Sequence, residues 1–282
     1  MKGVHTALVT PFSHGHLDLE AFRRLARRQL QAGVAGLVPC GTTGETPTLT
    51  QAEWADCIST AVDVAGGNAM VTAGCGTNST RTTAENCKAA RELGADAALV
   101  VLPYYNKPNP DGHVAHLAAA ASAGLPLVVY HVPGRTGQKL PAHQLAALAN
   151  MPGVIGLKEA TGDVGYGGDV LARTRTPVLS GDDGTFFPLM TLGGTGVVSV
   201  ISNICPAKTV ALAAAAESGD LETARKLHFE LLPVIEYLFH TSNPVPAKAL
   251  MAALGLCEND VRLPLAPIAE PEDEALLECA RE

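Results

Sequence analysis

The segment Val154–Asp163 reads VIGLKEATGD, an apolar run that closes on Lys158. An ammonium at the end of a buried strand is costly, because desolvation disfavours the charged form of a lysine. Such a group is either a solvated gatepost at a strand's rim or an amine meant to lose its proton. A neutral amine is the nucleophile that forms Schiff bases with carbonyl substrates. The chain has eight lysines (2, 88, 107, 139, 158, 208, 226 and 248), and only Lys158 ends an apolar strand run. Lys88, Lys208, Lys226 and Lys248 fall in helical patterns, Lys107 and Lys139 in polar loops, and Lys2 at the terminus. Side-chain alternation puts Gly156 on the face of Lys158 and predicts space beneath the amine. For this one lysine taken alone, a structural ion pair with Glu45 or Asp182 is the competing account.

Other residue types change the balance. Tyr130 ends the preceding apolar run, LPLVVYHV, and is expected beside Lys158. Schiff-base formation needs a weak acid to move protons to and from the carbinolamine, and a phenol within hydrogen-bond reach can do so. Thr42 and Thr43 stand between glycines and offer hydroxyls and open backbone N–H groups suited to a carboxylate, while Tyr105 adds another phenol. Each of these is an ordinary turn or packed aromatic when taken singly. Their convergence on one mouth is what carries weight.

That convergence requires elements to produce it. Apolar runs rich in Val and Leu recur at intervals of roughly thirty residues or less, each followed by a helical pattern. They are HTALVTP, AGLVPC, AMVTAG, AALVVLP, LPLVVYHV, VIGLKE, PVLSGD and TGVVSV. Apolar on both faces, they suit a parallel sheet covered by helices. Thr50 with Glu53 and Thr82 with Glu85 match capping boxes, Pro141 and Pro206 suit first helical turns, and Gly33 and Gly94 suit C-terminal caps. Eight units in one series predict an α/β fold, a closed (β/α)8 TIM barrel over residues 1–218. Residues 219–282 carry no strand signal and read as a C-terminal helical appendage of three helices, near 220–240, 246–254 and 271–281. In such a barrel, chemistry sits where the strands end. Strand two delivers CGTTGE there, strand four PYYNKP, strand five YHVPGRTG, strand six LKEATGD and strand seven SGDDG.

Bulk properties narrow the class. With 282 residues, 47% hydrophobic, the chain can bury a large core, and its net charge of −8 gives no footprint for nucleic acid. The cluster Arg23, Arg24, Arg27 and Arg28 reads as the outer face of one helix. No segment has the length and apolarity of a membrane span, and the N-terminus lacks a signal-peptide pattern. Seven cysteines with no C-x-x-C pair argue against a disulfide framework or thiolate zinc site and suit a reducing, cytoplasmic setting. Cys40 and Cys75, at strand ends, could line a site. Gly74-Cys75-Gly76 lacks the third glycine of a dinucleotide fingerprint, with Ser79 in its place. His113-x-x-His116 and His14-x-His16 have no evident third ligand and read as solvated histidines. A metal-dependent aldolase using Asp182 and Asp183 is a minor alternative. Lysine supplies the electron sink, so neither metal nor cofactor is expected.

GTTGE (41–45), PYYN (103–106), YHVPGRTG (130–137), GLKEATGD (156–163), SGDD (180–183) and NPVPAK (243–248) occur in order along the chain. Together they resemble the dihydrodipicolinate synthase family, a branch of the pyruvate-dependent aldolases that includes N-acetylneuraminate lyase. The resemblance implies that Lys158 forms an imine with pyruvate, whose enamine attacks the aldehyde of aspartate semialdehyde. Cyclisation then releases a hydroxy-tetrahydrodipicolinate on the diaminopimelate route to lysine. It implies a proton relay of Tyr130, Thr42 and Tyr105, the last reaching in from a neighbouring subunit of a homotetramer built as a dimer of dimers. Thr43 would hold the pyruvate carboxylate, and Gly181 and Val198 would line the pocket by main-chain contacts.

Arg135 bears on the substrate. A guanidinium presents a fork of donors that matches a carboxylate, and the resemblance assigns it to the semialdehyde; related sugar-acid lyases generally lack an arginine in that motif. Two features depart from the family's usual pattern. His131 stands where asparagine is common, on the face away from Tyr130. At the interface site where lysine inhibits some members, Asn78 and Tyr104 match, and Trp54 occurs among variants. Gln51 and Thr82, however, replace a histidine and a glutamate. Loss of that carboxylate implies weak or absent feedback inhibition. Two further functions stay open: another class I pyruvate aldolase or lyase acting on a 2-keto-3-deoxy sugar acid, and a catalytically silent metabolite-binding barrel.

Overall fold

The computed structural model describes residues 1–281. Among the described residues, eight parallel strands close on themselves: β1 (Gly3–Ala7), β2 (Gly36–Val38), β3 (Met70–Gly74), β4 (Ala97–Val101), β5 (Leu127–His131), β6 (Val154–Glu159), β7 (Val178–Ser180) and β8 (Gly196–Ser199). Each pairs with its sequence neighbours, and β1 pairs with both β2 and β8. This is the expected (β/α)8 TIM barrel. A small two-stranded ribbon, Phe12–Ser13 with His16–Leu17, stands apart after β1, and His14 and His16 are exposed on it.

Eight helices alternate with these strands: α1 (Leu19–Gln31), α2 (Gln51–Ala65), α3 (Thr80–Glu92), α4 (Pro110–Ala121), α5 (Ala142–Ala149), α6 (Val164–Leu171), α7 (Phe186–Thr191) and α8 (Pro206–Ser218). Their caps follow local chemistry. Thr50 and Glu53 form the expected capping box on α2. At α3 the cap is Ser79, whose side chain accepts from the Thr82 N–H, so Thr82 is inside the helix rather than at its boundary. Pro141 is likewise the cap of α5 rather than a first-turn residue. Gly33 and Gly94 follow α1 and α3 with φ of +83° and +90°, conformations in which a Cβ is disfavoured. Arg28 is not a solvated charge. Its guanidinium donates to the carbonyls of Asn203 (3.0 Å) and Ile204 (2.7 Å), pinning the segment after β8 to α1.

Alternation divides each strand between two cores. Val71, Val129 and Leu157 face the helices. Ala7, Val38, Leu99, Val128, Tyr130, Leu179 and Val198 fill the barrel interior. Glycines create the room that side chains of neighbouring strands need. A Cβ on Gly36 would lie 2.2 Å from His5 Nδ1, and one on Gly156 would lie 2.7 Å from Met1 Sδ. The space left by Gly156 is therefore taken by Met1, not left open below Lys158. The carbonyl of Cys40 approaches Gly74 so closely that a Cβ there would sit 1.9 Å from it.

After Ser218 come three helices, α9 (Leu221–Phe239), α10 (Val245–Ala253) and α11 (Glu274–Ala280). Their apolar residues join the same core as the barrel's outer layer, among them Leu231, Leu238, Leu250 and Leu277.

His113, His116 and His131 are all buried, although the first two read as solvated from the sequence. His113 and His116 on α4 are 1% and 2% exposed, bonded to Gln138 Oε1 (3.2 Å) and Thr80 Oγ1 (3.0 Å). His131 faces outward from β5, away from Tyr130 as alternation requires, and stacks obliquely on Tyr166 with ring centroids 5.9 Å apart. Burial, with His113 and Lys139 adding to it, pushes His131 down to about 4. The unfolded chain titrates this group near ~6.5, so between those values only the unfolded state takes up its proton. The stability His131 contributes is complete above about 6.5 and falls by about 3 kcal/mol as pH drops toward 4. Replacing it, His131→Asn, is expected to shrink the stability difference between pH 7 and 4.5 by about 2 kcal/mol, read by urea denaturation at both values. An undiminished difference would remove His131 as a source of acid sensitivity.

Candidate active site

Tyr130 and Lys158 are register partners on β5 and β6. Both side chains enter the barrel near the C-terminal ends of their strands, at 6% and 5% exposure. The Lys158 amine lies over the Tyr130 ring, 4.1 Å from its centroid. Gly181, just after β7, makes this possible. A Cβ there would meet Lys158 Cε at 2.8 Å and Cγ at 2.9 Å. Gly181 thus clears the channel of the lysine stem, a packing function beyond the main-chain contact expected of it.

The ion pair that competes for Lys158 does not form among the described residues. Glu45 is taken by Lys248 of α10, at 2.6 Å and with both side chains wholly buried. Asp182 accepts from the Thr185 N–H at 3.0 Å. Asp183 is spent on the Val200 and Ile201 N–H groups at 2.9 and 3.0 Å, and burial pushes its carboxyl up. Glu159, next to Lys158 but facing the helices, accepts from the Thr161 N–H at 2.8 Å, and burial likewise raises it. Neither acidic pair around the lysine is free to neutralise it.

Above Tyr130 opens a cavity of about 320 Å³. Its wall includes Cys40, Thr42, Tyr104, Tyr130, Arg135 and Asn243. The GTTGE segment turns tightly here, with Gly44 and Glu45 N–H groups bonded back to Gly41 and Thr42 carbonyls. The Thr42 and Thr43 N–H groups have no acceptor among the described residues. Thr43, 2% exposed, lies behind the wall, its Oγ1 accepting from Asn243 Nδ2 at 2.9 Å. Arg135 sits on the one-turn helix Pro133–Thr136 after β5, and its Nη2 donates to the Asn243 carbonyl at 3.2 Å. Lys158 does not line the cavity itself but packs against the Tyr130 ring, which does, while Val198 is packed in the barrel interior at 1% exposure.

Of the expected site residues, Thr42, Tyr130 and Arg135 line the cavity, Lys158, Gly181, Thr43 and Val198 lie beneath or behind its wall, and Tyr105 turns away. It is 89% exposed with φ of +70°, while its neighbour Tyr104 faces the cavity.

Residues after 218 matter more than an appendage would. Ser242, Asn243, Pro244, Pro264 and Leu265 all line the cavity. They are held by a network centred on Glu45. Lys248 also donates to the Asp260 carbonyl (2.6 Å) and lies over the Phe12 ring (4.2 Å). The Arg262 N–H donates to Glu45 at 2.9 Å, and its guanidinium clasps Glu53, which that guanidinium pulls down to about 2. Burial lowers Lys248 while Glu45 pushes back. Helical periodicity marks Lys248 only as one polar position among others. The one signal that reached this region was the NPVPAK motif, which carries Asn243 and Lys248 together.

Polar groups from distant strands gathered where those strands end give the layout of a (β/α)8 enzyme. The sequence pattern of the Dihydrodipicolinate synthetase family matches residues 1–282. A 4-hydroxy-tetrahydrodipicolinate synthase of Methanospirillum hungatei is 43% identical over 98% of this chain and 97% of its own. One from Thermomicrobium roseum is 46% identical over 98% and 93%. The dihydrodipicolinate synthase structure from Thermotoga maritima superposes with a TM-score of 0.95 at 41% identity, covering 99% of this chain and 97% of that one. A monomeric dihydrodipicolinate synthase variant superposes equally well, TM-score 0.95 at 41% identity, over 99% and 95%. The chain belongs to the dihydrodipicolinate synthetase family.

The buried pair sets a clear expectation. Lys248→Met strands the Glu45 charge and is expected to cost about 3–5 kcal/mol in urea unfolding. The double variant Glu45→Gln with Lys248→Met should recover most of that loss. Equal losses in the single and double variants would mean the charge pair is not what holds this region.

Proposed function

We propose that this enzyme condenses pyruvate with L-aspartate 4-semialdehyde to give 4-hydroxy-tetrahydrodipicolinate. The observation that carries the reading is the Lys158 amine, held against Tyr130 in the slot that Gly181 leaves open and without an acidic partner. Lys158 Nζ adds to the ketone carbon of pyruvate. Tyr130 delivers a proton to the carbinolamine oxygen, which leaves as water, and an imine forms. Loss of a methyl proton gives the enamine, whose terminal carbon bonds to the aldehyde carbon of the semialdehyde; the aldehyde oxygen takes a proton to become the hydroxyl, and the imine to Lys158 re-forms. The amino group of that substrate then attacks the imine carbon, closes the ring and expels Lys158 as free amine.

Other residues are assigned by what each can donate. Thr42 and Tyr130 carry protons between the cavity and the lysine, with Tyr105 completing the relay from a neighbouring subunit. Thr43 and the open N–H groups of its turn hold the pyruvate carboxylate, and Arg135 holds the carboxylate of the semialdehyde. Gly181 and Val198 shape the floor. A phenol that is 89% exposed on its own chain supports assembly into an oligomer, which we take to be a dimer of dimers. Seven free cysteines suit a reducing, cytoplasmic setting. No helix among the described residues is long and apolar enough to cross a membrane. Residues 1–218 form the catalytic barrel in this reading, and of the expected appendage 219–282, whose last residue lies outside the described ones, residues 242–244 and 264–265 close one wall of the site.

Borohydride reduction in the presence of pyruvate is expected to add one pyruvate-derived group at Lys158, located by peptide mass spectrometry. An adduct elsewhere, or none, would sink the mechanism. Arg135→Ala should leave that trapping intact while raising the KM for the semialdehyde about tenfold or more. A trapped adduct with turnover of sugar aldehydes but not of the semialdehyde would overturn the substrate assignment alone.

The interface site predicts a third outcome. Gln51 is exposed and neutral, and the Thr82 hydroxyl is engaged by Ser79 Oγ at 2.9 Å. Neither offers a carboxylate to a lysine ammonium. Titration with L-lysine is expected to give inhibition at millimolar concentrations or none, and micromolar inhibition would refute this.

A further inference from the structure

Asn243 has no role in the chemistry above, yet it touches both substrate-binding side chains. It is 7% exposed, donates from Nδ2 to Thr43 Oγ1 at 2.9 Å, and accepts at its carbonyl from Arg135 Nη2 at 3.2 Å. The direction of the first bond matters. An amide nitrogen can only donate, so the Thr43 oxygen is the acceptor and its single hydrogen is left over. That hydroxyl makes no other bond among the described residues. The Asn243 Oδ1 is buried without a partner, so although Asn243 lines the cavity, the polar contact its side chain makes is the one to Thr43.

We propose that Asn243 is a positioning residue that holds the Thr43 hydroxyl with its hydrogen turned toward the pyruvate carboxylate. This rests on the reading that Thr43 binds that carboxylate. A lone threonine hydroxyl rotates freely and can present either a hydrogen or a lone pair; only the hydrogen suits an anion. Filling one lone pair from Asn243 selects the useful orientation before pyruvate arrives. The Arg135 contact uses the Asn243 main chain, so a change of side chain leaves it in place. Immediately downstream, α10 carries Lys248, and its buried pairing with Glu45, two residues past Thr43, ties Asn243 to the Thr42–Thr43 turn.

The test uses the full-length enzyme and four variants: Asn243→Ala, Asn243→Asp, Thr43→Val and the double Asn243→Ala with Thr43→Val. Steady-state constants for both substrates and melting temperatures are measured for each. Asn243→Ala is expected to raise the pyruvate KM about tenfold, with the semialdehyde KM within about twofold of wild type. Asn243→Asp keeps the shape but offers an acceptor, which draws the Thr43 hydrogen away, so its pyruvate KM should rise further. In the Thr43→Val background, removal of the Asn243 side chain should add nothing. The proposal is overturned if Asn243→Ala leaves the pyruvate KM unchanged while Thr43→Val raises it, or if Asn243→Asp behaves as wild type. Parallel rises for both substrates with a lowered melting temperature would mark Asn243 as merely structural. An unchanged pyruvate KM in Thr43→Val would instead remove the underlying reading of Thr43.

Discussion

A carboxylate and an ammonium sealed from water, Glu45 and Lys248, hold this site together. Two such ions are tolerated in an interior only when they meet each other and their remaining hydrogen-bonding capacity is filled. Here it is filled from three directions, by the Asp260 carbonyl, the Arg262 N–H and the face of Phe12. The contact joins residues 203 positions apart. It makes the turn after β2 and the helices after the barrel one mechanical unit. The groups that face the cavity from those two regions keep their spacing because the charges beneath them cannot separate without a large desolvation cost.

The second constraint is room. A barrel interior is filled by side chains from alternate strand positions, and a large residue entering from one strand requires a small one on its neighbours. Lys158 enters against Gly181, His5 against Gly36, Met1 against Gly156, and the Cys40 carbonyl against Gly74. The Lys158 amine is one case of a general device. Its depth is set less by what binds it than by what was left out beside it.

The barrel and its lysine were legible because both are local signals. Eight apolar runs in series define the fold, and alternation along VIGLKE and LVVYH is enough to set Lys158 and Tyr130 on one face. The outward placement of His131 follows by the same logic. Other features were not legible, because burial is decided by partners far away in the chain. Lys248 has the spacing of any polar residue on a helix, and nothing near it shows that Glu45 will arrive. His113 and His116 look like surface residues until α4 is packed between α3 and α5. The space expected under Lys158 was filled by Met1, a residue from the other end of the barrel's first strand. Ser79 took the cap that Thr82 also matched, since two suitable hydroxyls three residues apart leave a helix start undetermined. Asn243 was visible only as one letter of a motif.

Asn243 speaks to its two neighbours through different parts of itself. Arg135 is held by a carbonyl that every amino acid possesses, whereas Thr43 is held by an amide that few possess. Inheritance therefore treats the two halves of the site unequally. A codon change at this position leaves the arginine's anchorage untouched and alters only what the threonine experiences. If Thr43 and Arg135 hold the two substrates as proposed, a lineage can drift in its handling of the smaller keto acid without disturbing recognition of the larger aldehyde, and selection can act on the two one at a time.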